Sequence, residues 1–344
     1  MPEISVIIVN WNGKHFLDVC LSALRRQTFR DFETIFVDNG SQDGSVEYVR
    51  SLFPEVKIVA LKNNLGFTGG NIAGYELATG ELIALLNNDT EAHPDWLSAI
   101  RRGARTYDDA GSFASKMLYF ENRHRIENCG FNVDVAGTTV DLGRDEWDSP
   151  KWTLPRKVFG ACGGAVAYRR SMLEHIGFLD PDLFMIYEDV DLSFRAQLAG
   201  YECVYLPDAV VFHRYRSSLK MRPAMQVFFA QRNIDLVFLK NLPLRLILRS
   251  LPRRLLYECG SALYFTKLGS GSAFVRAKLA VLRQLPSVLA KRKAVQELRM
   301  ISAREFRTLM RGSAFSSKWR KFFSPAGNAT AFPSRTDPAA KKAA

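Results

Sequence analysis

Ile4-Ser5-Val6-Ile7-Ile8-Val9 is an almost unbroken run of apolar, mostly β-branched residues. A strand apolar at successive positions is buried on both faces, which is the signature of a parallel sheet covered by helices. The pattern continues outward from this run. A helical stretch puts Phe16, Leu17, Cys20, Leu21 and Leu24 on one face. Phe32 to Val37 reads as a second strand ending in the turn Asp38-Asn39-Gly40-Ser41, Ser45 to Leu52 as helix, and Val56 to Ala60 as a third strand. Residues 69–79 form a helix of small residues, and Leu82 to Leu86 a strand ending in Asn87-Asn88-Asp89-Thr90. Pro94, with Trp96, Leu97 and Ile100 behind it, opens the next helix. Alternation at this spacing predicts parallel strands with right-handed crossovers, and ligands in such sheets sit beyond the carboxyl ends of the strands. The polar turns named above all lie at those ends.

Further along, residues 121–158 carry Gly130, Gly137, Gly143, Pro150 and Pro155 and read as hairpins or loop. Gly160 to Ala165 is glycine-rich, residues 170–176 are helical, and Glu188-Asp189-Val190-Asp191-Leu192 opens a helix that stops at Gly200. Tyr201 to Leu206 and Ala209 to His213 read as two strands. From about 222 to 311 the pattern is helical, and 312–344 reads as a disordered tail rich in Ser, Pro, Ala and Lys. The expected units are therefore 1–221, 222–311 and 312–344.

The net charge of +12 over 344 residues is unevenly placed. Residues 1–213 hold 20 basic and 30 acidic side chains, whereas residues 214–344 hold 27 basic and 5 acidic. The first part has the balance of a globular enzyme, and the second that of something meeting an anionic surface. Leu242, Leu244, Leu246, Ile247, Leu248, Leu251, Leu255 and Leu256 are interleaved with Arg245, Arg249, Arg253 and Arg254. Basic amphipathic helices of this kind lie in the headgroup plane of anionic membranes. The competing expectation is a packed helical subdomain with a solvated basic face. No motif of a nucleic-acid module accompanies the charge, so nucleic acid is not an expected partner. No stretch of 18 uncharged apolar residues occurs, and Met1-Pro2-Glu3 leads straight into a strand, which predicts neither a spanning helix nor a signal peptide. Five widely spaced cysteines with no CxxC fit a reducing compartment and give no zinc or disulfide framework.

Four groups of residues carry the chemistry. Asn87-Asn88-Asp89 puts a carboxylate at a strand end, where Mg²⁺ or Mn²⁺ would meet a phosphorylated ligand. Glu188-Asp189-Val190-Asp191 crowds three carboxylates into a first helical turn. Asp191 is expected to pair with Arg195 at i,i+4, which leaves Asp189, about 200° away round the helix, available as a base. His213 ends a strand that enters the same cleft, as metal ligand or base. His15, His93, His124 and His175 are expected to be ordinary structural histidines. The Asp38 turn and the loop Asn64-Leu65-Gly66-Phe67-Thr68-Gly69-Gly70-Asn71 allow close backbone approach to a ligand. The absence of GxGxxG after the first strand, of GxxxxGK[ST] and of GxSxG argues against dinucleotide, P-loop and nucleophile-elbow chemistries.

Taken in order, Ser5 to Asn12, Val37 to Ser41, Asn64 to Phe67, Leu86 to Thr90, Glu188 to Leu192 and His213 resemble the family 2 inverting glycosyltransferases of GT-A fold, over roughly residues 4–215. The lead Phe178 to Phe184 is similar to the bacterial rhamnosyltransferase-like branch. The resemblance implies a Rossmann-like mixed sheet flanked by helices, followed here by the basic helical region. It implies a nucleoside diphosphate sugar donor, dTDP-rhamnose or a UDP-hexose, and a glycan or polyprenyl-linked acceptor. It implies donor-side residues Val9, Asn10, Trp11, Asp38, Asn39, Asn64, Gly66, Asn71, Asn88 and Asp89, with Asp189 as general base. The divalent cation, Mg²⁺ or Mn²⁺, falls to Asp89 and His213, because Asn87 stands where the family's DxD begins with a carboxylate. Gly163, Gly164 and Glu188 fall on the acceptor side. The expected setting is cytoplasmic, on the inner face of the plasma membrane, in cell-surface polysaccharide assembly. Sugar nucleotidyl transfer, glycoside hydrolysis and non-catalytic nucleotide-sugar binding at a membrane are the rival readings. None of these observations sets an oligomeric state.

Overall fold

The computed structural model describes residues 1–214 and 223–311. The expected tail, 312–344, and the expected boundary at 221/222 lie outside the described residues. The chain first lays down β1 (Ile4–Asn10), α1 (Lys14–Arg25), β2 (Phe32–Asp38), α2 (Ser45–Leu52), β3 (Lys57–Ala60), α3 (Gly66–Leu77) and β4 (Leu82–Leu86). Then follow β5 (Thr90–Ala92), α4 (Trp96–Thr106), β6 (Ala110–Tyr119), β7 (Asn122–Asn128), β8 (Phe131–Val133), β9 (Thr139–Asp141) and β10 (Arg156–Val158). β11 (Ala165–Arg169), α5 (Arg170–Ile176), α6 (Glu188–Leu198) and β12 (Glu202–His213) complete the sheet-bearing part. Four helices end the described chain: α7 (Pro223–Asn241), α8 (Leu244–Lys267), α9 (Gly271–Glu297) and α10 (Ala303–Leu309).

The main sheet runs β10-β12-β6-β11-β4-β1-β2-β3, with β5 on β12 and β7 on β6. β1 pairs in parallel with β2 and β4, and β2 with β3. β11 is antiparallel to both β4 and β6, so the sheet is mixed. The strand order reverses between β1 and β4, and the ends of those two strands border the crevice where such sheets bind ligands. The two strands expected at 201–206 and 209–213 are one continuous strand, β12. Its register against β6 shifts between Leu206 and Val210. Pro207, with no N–H to give the ladder, sits in that irregularity rather than ending the strand.

Alternate residues of β1 supply two cores. Ile4, Val6 and Ile8 pack on one face with Leu17, Phe36 and Trp96. Ile7 packs on the other with Ile35, Val37 and Tyr168. α3 lies close on that second face because it presents Gly74 to Ile7, and a Cβ there would stand 2.5 Å from the Ile7 side chain. A third core joins the two parts of the chain. Phe131, Phe159, Val190 and Phe194 pack with Leu236, Val237, Val281 and Phe306. At roughly 1.5–3 kcal/mol for each large side chain buried, this shared core makes α7–α10 an integral part of the fold. Ion pairs reinforce it, since Lys240 and Lys291 both reach Asp180.

Candidate active site

Strand ends and one helix start build the site. Asn10, fully buried at the end of β1, ties three strand ends together. Its amide donates to Ser45 Oγ at 3.0 Å and Ser41 Oγ at 3.2 Å, and its carbonyl accepts from Asn88 Nδ2 at 2.7 Å. Asp38 accepts the Ser41 N–H at 2.9 Å and closes the turn after β2. Asn39 donates to Asn64 Oδ1 and to the Gly66 carbonyl and accepts from Leu65 N–H, so it joins that turn to the glycine-rich loop. Asn71 is buried and donates to the Phe67 carbonyl at 2.8 Å. Gly66 has φ +74°, and a Cβ there would come 2.3 Å from the Phe184 carbonyl oxygen. Gly70 admits Val9 in the same way. Trp11, by contrast, projects outward, 55% exposed. The structure thus gathers Asn10, Asp38, Asn39, Asn64, Gly66 and Asn88 into one network, with much of its polar capacity spent on holding loops to strand ends.

Asp89 and His213 meet across the register of β5 and β12. His213 Nε2 lies 3.1 Å from Asp89 Oδ1, and its Nδ1 lies 2.7 Å from Glu127 Oε2. All three side chains are buried. Burial alone would favour neutral imidazole, but hydrogen bonds and charge from Asp89 and Glu127 outweigh it and push the His213 pKa up to about 10. Glu127, on β7, was not expected from the sequence. Among the described residues no group of three His, Cys, Asp or Glu side chains is placed to hold a metal. A hard divalent cation that takes few protein ligands would fit here by displacing the proton between His213 and Asp89, leaving neutral Nε2 and the Asp89 carboxylate as ligands, with water and phosphate completing the shell. Glu127 would stand behind His213 as the carboxylate that fixes its ring.

Asp189 lies in the first turn of α6. Its Oδ2 accepts the Gly163 N–H at 2.9 Å and its Oδ1 the Val190 N–H at 2.8 Å. Burial raises its pKa to about 6, and these two N–H groups partly oppose the rise. Glu188 beside it is raised further, by burial and then by the Asp189 charge, and its buried Oε2 has no protein hydrogen bond. Gly163 packs beside Phe67 and Asp189, where a Cβ would stand in ordinary contact at 3.4–3.6 Å, and the Gly164 carbonyl accepts the Asn87 N–H at 2.9 Å. The turn before β11 therefore links the Asp189 carboxylate to the end of β4. Asp191 pairs with Arg195 at 3.0 Å, as the spacing predicts, and also with Lys240 at 2.8 Å.

The segment leading into α6 is strained. Phe184, Ile186 and Tyr187 have φ of 62°, 66° and 75°, each costing on the order of 1–3 kcal/mol for a side chain with a Cβ. The fully buried Asn233 of α7 holds it, with Nδ2 at 2.9, 2.8 and 2.6 Å from the carbonyls of Leu183, Met185 and Ile186. Arg232 adds contacts of 2.9 Å to the Asp182 and Leu183 carbonyls. Neither residue carried a signal in the sequence. Asn233→Ala leaves these carbonyls without their shared donor, at about 1–3 kcal/mol. A thermal melt should show a drop of several degrees. A wild-type melt would remove the clamp.

The model of a family described as "Glycosyl transferase family 2" matches residues 5–177. The chain is 26% identical over 246 residues to an N-acetylglucosaminyl-diphospho-decaprenol L-rhamnosyltransferase of Mycobacterium tuberculosis, covering 64% of this chain and 78% of that protein. Two uncharacterized bacterial relatives, from Nostoc and Sinorhizobium fredii, are spanned over only 60% and 25% of their own lengths. S. aureus TarS 1-349 in complex with UDP-GlcNAc superposes with a TM-score of 0.56 at 18% identity, over 93% of this chain and 92% of that one. GalNAc-T7 with UDP, GalNAc and Mn²⁺ gives the same TM-score at 17% identity, over 69% and 47%. At these identities the solved structures are similar in fold.

Proposed function

The chain belongs to glycosyl transferase family 2, and from that premise we propose that it moves a hexosyl unit, with inversion, from a nucleoside diphosphate sugar to an acceptor hydroxyl. The observation that carries this reading is the placement of Asp189. A carboxylate with a raised pKa is anchored by the Gly163 N–H at the edge of the sheet where Asn10 and Asp38 end their strands and Asp89 leads into β5. Asp189 takes the proton of the acceptor hydroxyl as its oxygen bonds to the anomeric carbon. The bond to the diphosphate breaks on the opposite face, and the diphosphate leaves with the electron pair. Asp189 is then neutral, and the product carries the inverted configuration.

Asp38 and the network around Asn10, Asn39, Asn64, Gly66, Asn71 and Asn88 shape the donor side, with Val9 and the exposed Trp11 at its margin. Gly163, Gly164 and Glu188 shape the acceptor side. Asp89 and His213 would hold a divalent cation, which when bound offsets the charge developing on the leaving diphosphate. The Mn²⁺ bound in GalNAc-T7 supports a cation there, with Mg²⁺ the other candidate.

The donor is dTDP-rhamnose or a UDP-hexose, a choice supported by the rhamnosyltransferase relative and by the UDP-sugar complex of TarS. The acceptor is a lipid-linked or free glycan in cell-surface polysaccharide assembly, at the cytoplasmic face of an anionic membrane. The relative's own substrate name and the basic helices support this. Among the described residues no helix is long and apolar enough to cross a membrane, so the association proposed is peripheral.

Incubation with a panel of dTDP- and UDP-sugars, Mn²⁺ and a polyprenyl-diphosphate acceptor tests the reading. Release of nucleoside diphosphate that depends on both donor and acceptor is the expected result. Silence across the panel, with no thermal stabilisation by any nucleotide, would overturn it.

A further inference from the structure

We propose that the groove between α8 and α10 is a binding site for a small phosphate-bearing anion free in solution, held by Arg249, Arg253 and Arg307. The site shares no residue with the sugar-transfer cleft and stands apart from that reading. Leu246, Arg249, Ser250 and Arg253 follow one another at i, i+3, i+4 and i+7, so they occupy one face of α8. That face meets Arg307 of α10 and Met310 just beyond it. With Val135, from the turn between β8 and β9, these residues line a cavity of about 240 Å³. Leu246 and Met310 are buried at its floor, whereas the three arginines are exposed at its rim. The exposed Leu244, Leu248, Leu251 and Leu255 fall on the opposite side of α8 and take no part.

The charge in this groove is one-sided. Residues 223–311 contain four carboxylate side chains: Asp235, Glu258, Glu297 and Glu305. Asp235 and Glu258 are taken by Arg254 and Lys278. Glu305 caps its own helix at Ser302, and Glu297 is exposed in the last turn of α9, outside the cavity lining. Asp134, next to Val135 in the hairpin turn, is buried and accepts the Ala136 and Thr138 N–H groups. Among the described residues, no carboxylate lines the cavity and none pairs with its three arginines.

Arg249 and Arg253, one turn apart on α8, repel each other, and Arg307 adds a third like charge from the facing helix. The arrangement exists only in the folded chain, because Leu246 of α8 and Phe306 of α10 are held together in the third core. An anion entering the groove removes the repulsion and so favours the native state. Arginine's planar donor fork sets the class of that anion, since it pairs best with two oxygens of one group. A carboxylate has two oxygens and matches a single fork. A tetrahedral phosphate presents oxygens in several directions and can meet forks from two helices at once, with the Ser250 hydroxyl on the same helix face as a further donor. The cavity has room for a diphosphate.

The test is thermal melting and calorimetric titration of the full chain with inorganic pyrophosphate, at fixed ionic strength. EDTA is present so that no metal–pyrophosphate complex reaches Asp89 and His213. The wild type should melt several degrees higher than in a sodium chloride control. R249Q or R307Q alone should weaken binding roughly tenfold or more, at one charge-assisted contact each, and R249Q/R253Q/R307Q should abolish it. R245Q removes an exposed arginine of α8 outside the cavity and should bind as the wild type does. In separate melts without EDTA, all variants should keep the wild-type thermal shift with UDP and Mn²⁺, which shows that fold and donor site are intact.

A wild type that pyrophosphate stabilises no more than sodium chloride does would overturn the proposal. So would a response that the triple variant keeps, or one that R245Q weakens as much as R249Q. Acetate acting as strongly as pyrophosphate would overturn the phosphate assignment. Flotation with phosphatidylglycerol vesicles that the triple variant loses, without any response to pyrophosphate, would give the arginines to a lipid headgroup and overturn the free-anion site. A pyrophosphate response without any response to UDP would instead overturn the sugar-transfer reading and leave this site standing.

Discussion

Asp189→Asn will abolish sugar transfer, by roughly 10²–10⁴-fold, while leaving the fold and nucleotide binding in place. The substitution keeps the shape and one acceptor oxygen for the Gly163 N–H, now at 2.9 Å, removes the ability to take a proton, and gives up the second acceptor, which meets the Val190 N–H at 2.8 Å. Its effect on stability distinguishes a strained catalytic group from a structural one. Burial holds the Asp189 pKa at about 6, above its ordinary value. Between those two values the native state binds more protons than the unfolded chain. Stability from this group is therefore present at low pH and is lost as pH rises through about 6. At neutral pH the ionised carboxylate is a burden, and its relief in the asparagine variant offsets the lost acceptor at the Val190 N–H, so the variant should melt near the wild-type temperature. Activity runs the opposite way. In the wild type kcat should fall below about pH 6, as Asp189 becomes protonated, and rise to a plateau above it. A variant with near wild-type turnover, or a flat profile through pH 6 in the wild type, would move the base elsewhere.

What the sequence made legible, and what it hid, follows from how each side chain gets its surroundings. β1, β2 and β4 announce themselves because they are apolar at nearly every position, a pattern only a doubly covered strand needs. β6 and β11 lie in the same sheet and are as deeply buried. β6 carries Ala, Gly and Ser through most of its first half and β11 is only five residues with two Ala, and both are strands because neighbours on both sides hold them there. Asp89, Asp189 and His213 were readable because each closes or opens an element in a fixed way. Glu127 was not, since its strand begins with exposed residues and its partner His213 comes 86 residues later. Asn39 illustrates the reverse. Its motif marks it for the donor, yet its amide is engaged by Asn64 and the Gly66 carbonyl from a loop 25 residues on. In α8 the alternation of leucine and arginine was visible. Which leucines face inward was decided by the third core, where α8 packs against α7, α9 and α10.

Asp89→Ala should lower kcat/KM by roughly 10²–10³-fold and raise the Mn²⁺ concentration needed for half-maximal rate. Asp89 is buried, and its Oδ1 faces His213 Nε2 at 3.1 Å. The substitution removes the anionic half of the pair that would hold a cation and leaves the His213 contact with Glu127 in place. The nucleobase side is proposed around Asp38, on another strand, so metal-free UDP binding should survive. That split between a metal-dependent loss and a preserved metal-free affinity is what separates a cation site from general damage to the cleft. Glu127→Gln should produce a smaller effect of the same kind, of about 10–100-fold in metal affinity, because it loosens the ring at Nδ1 and leaves the Asp89 carboxylate in place. Titration of Mn²⁺ by electron paramagnetic resonance reads both variants directly, without relying on turnover. If the wild type stays fully active in excess EDTA, the Asp89–His213–Glu127 line is a buried structural ion network. The charge of the leaving diphosphate must then be met by the N–H groups and side chains of the cleft itself.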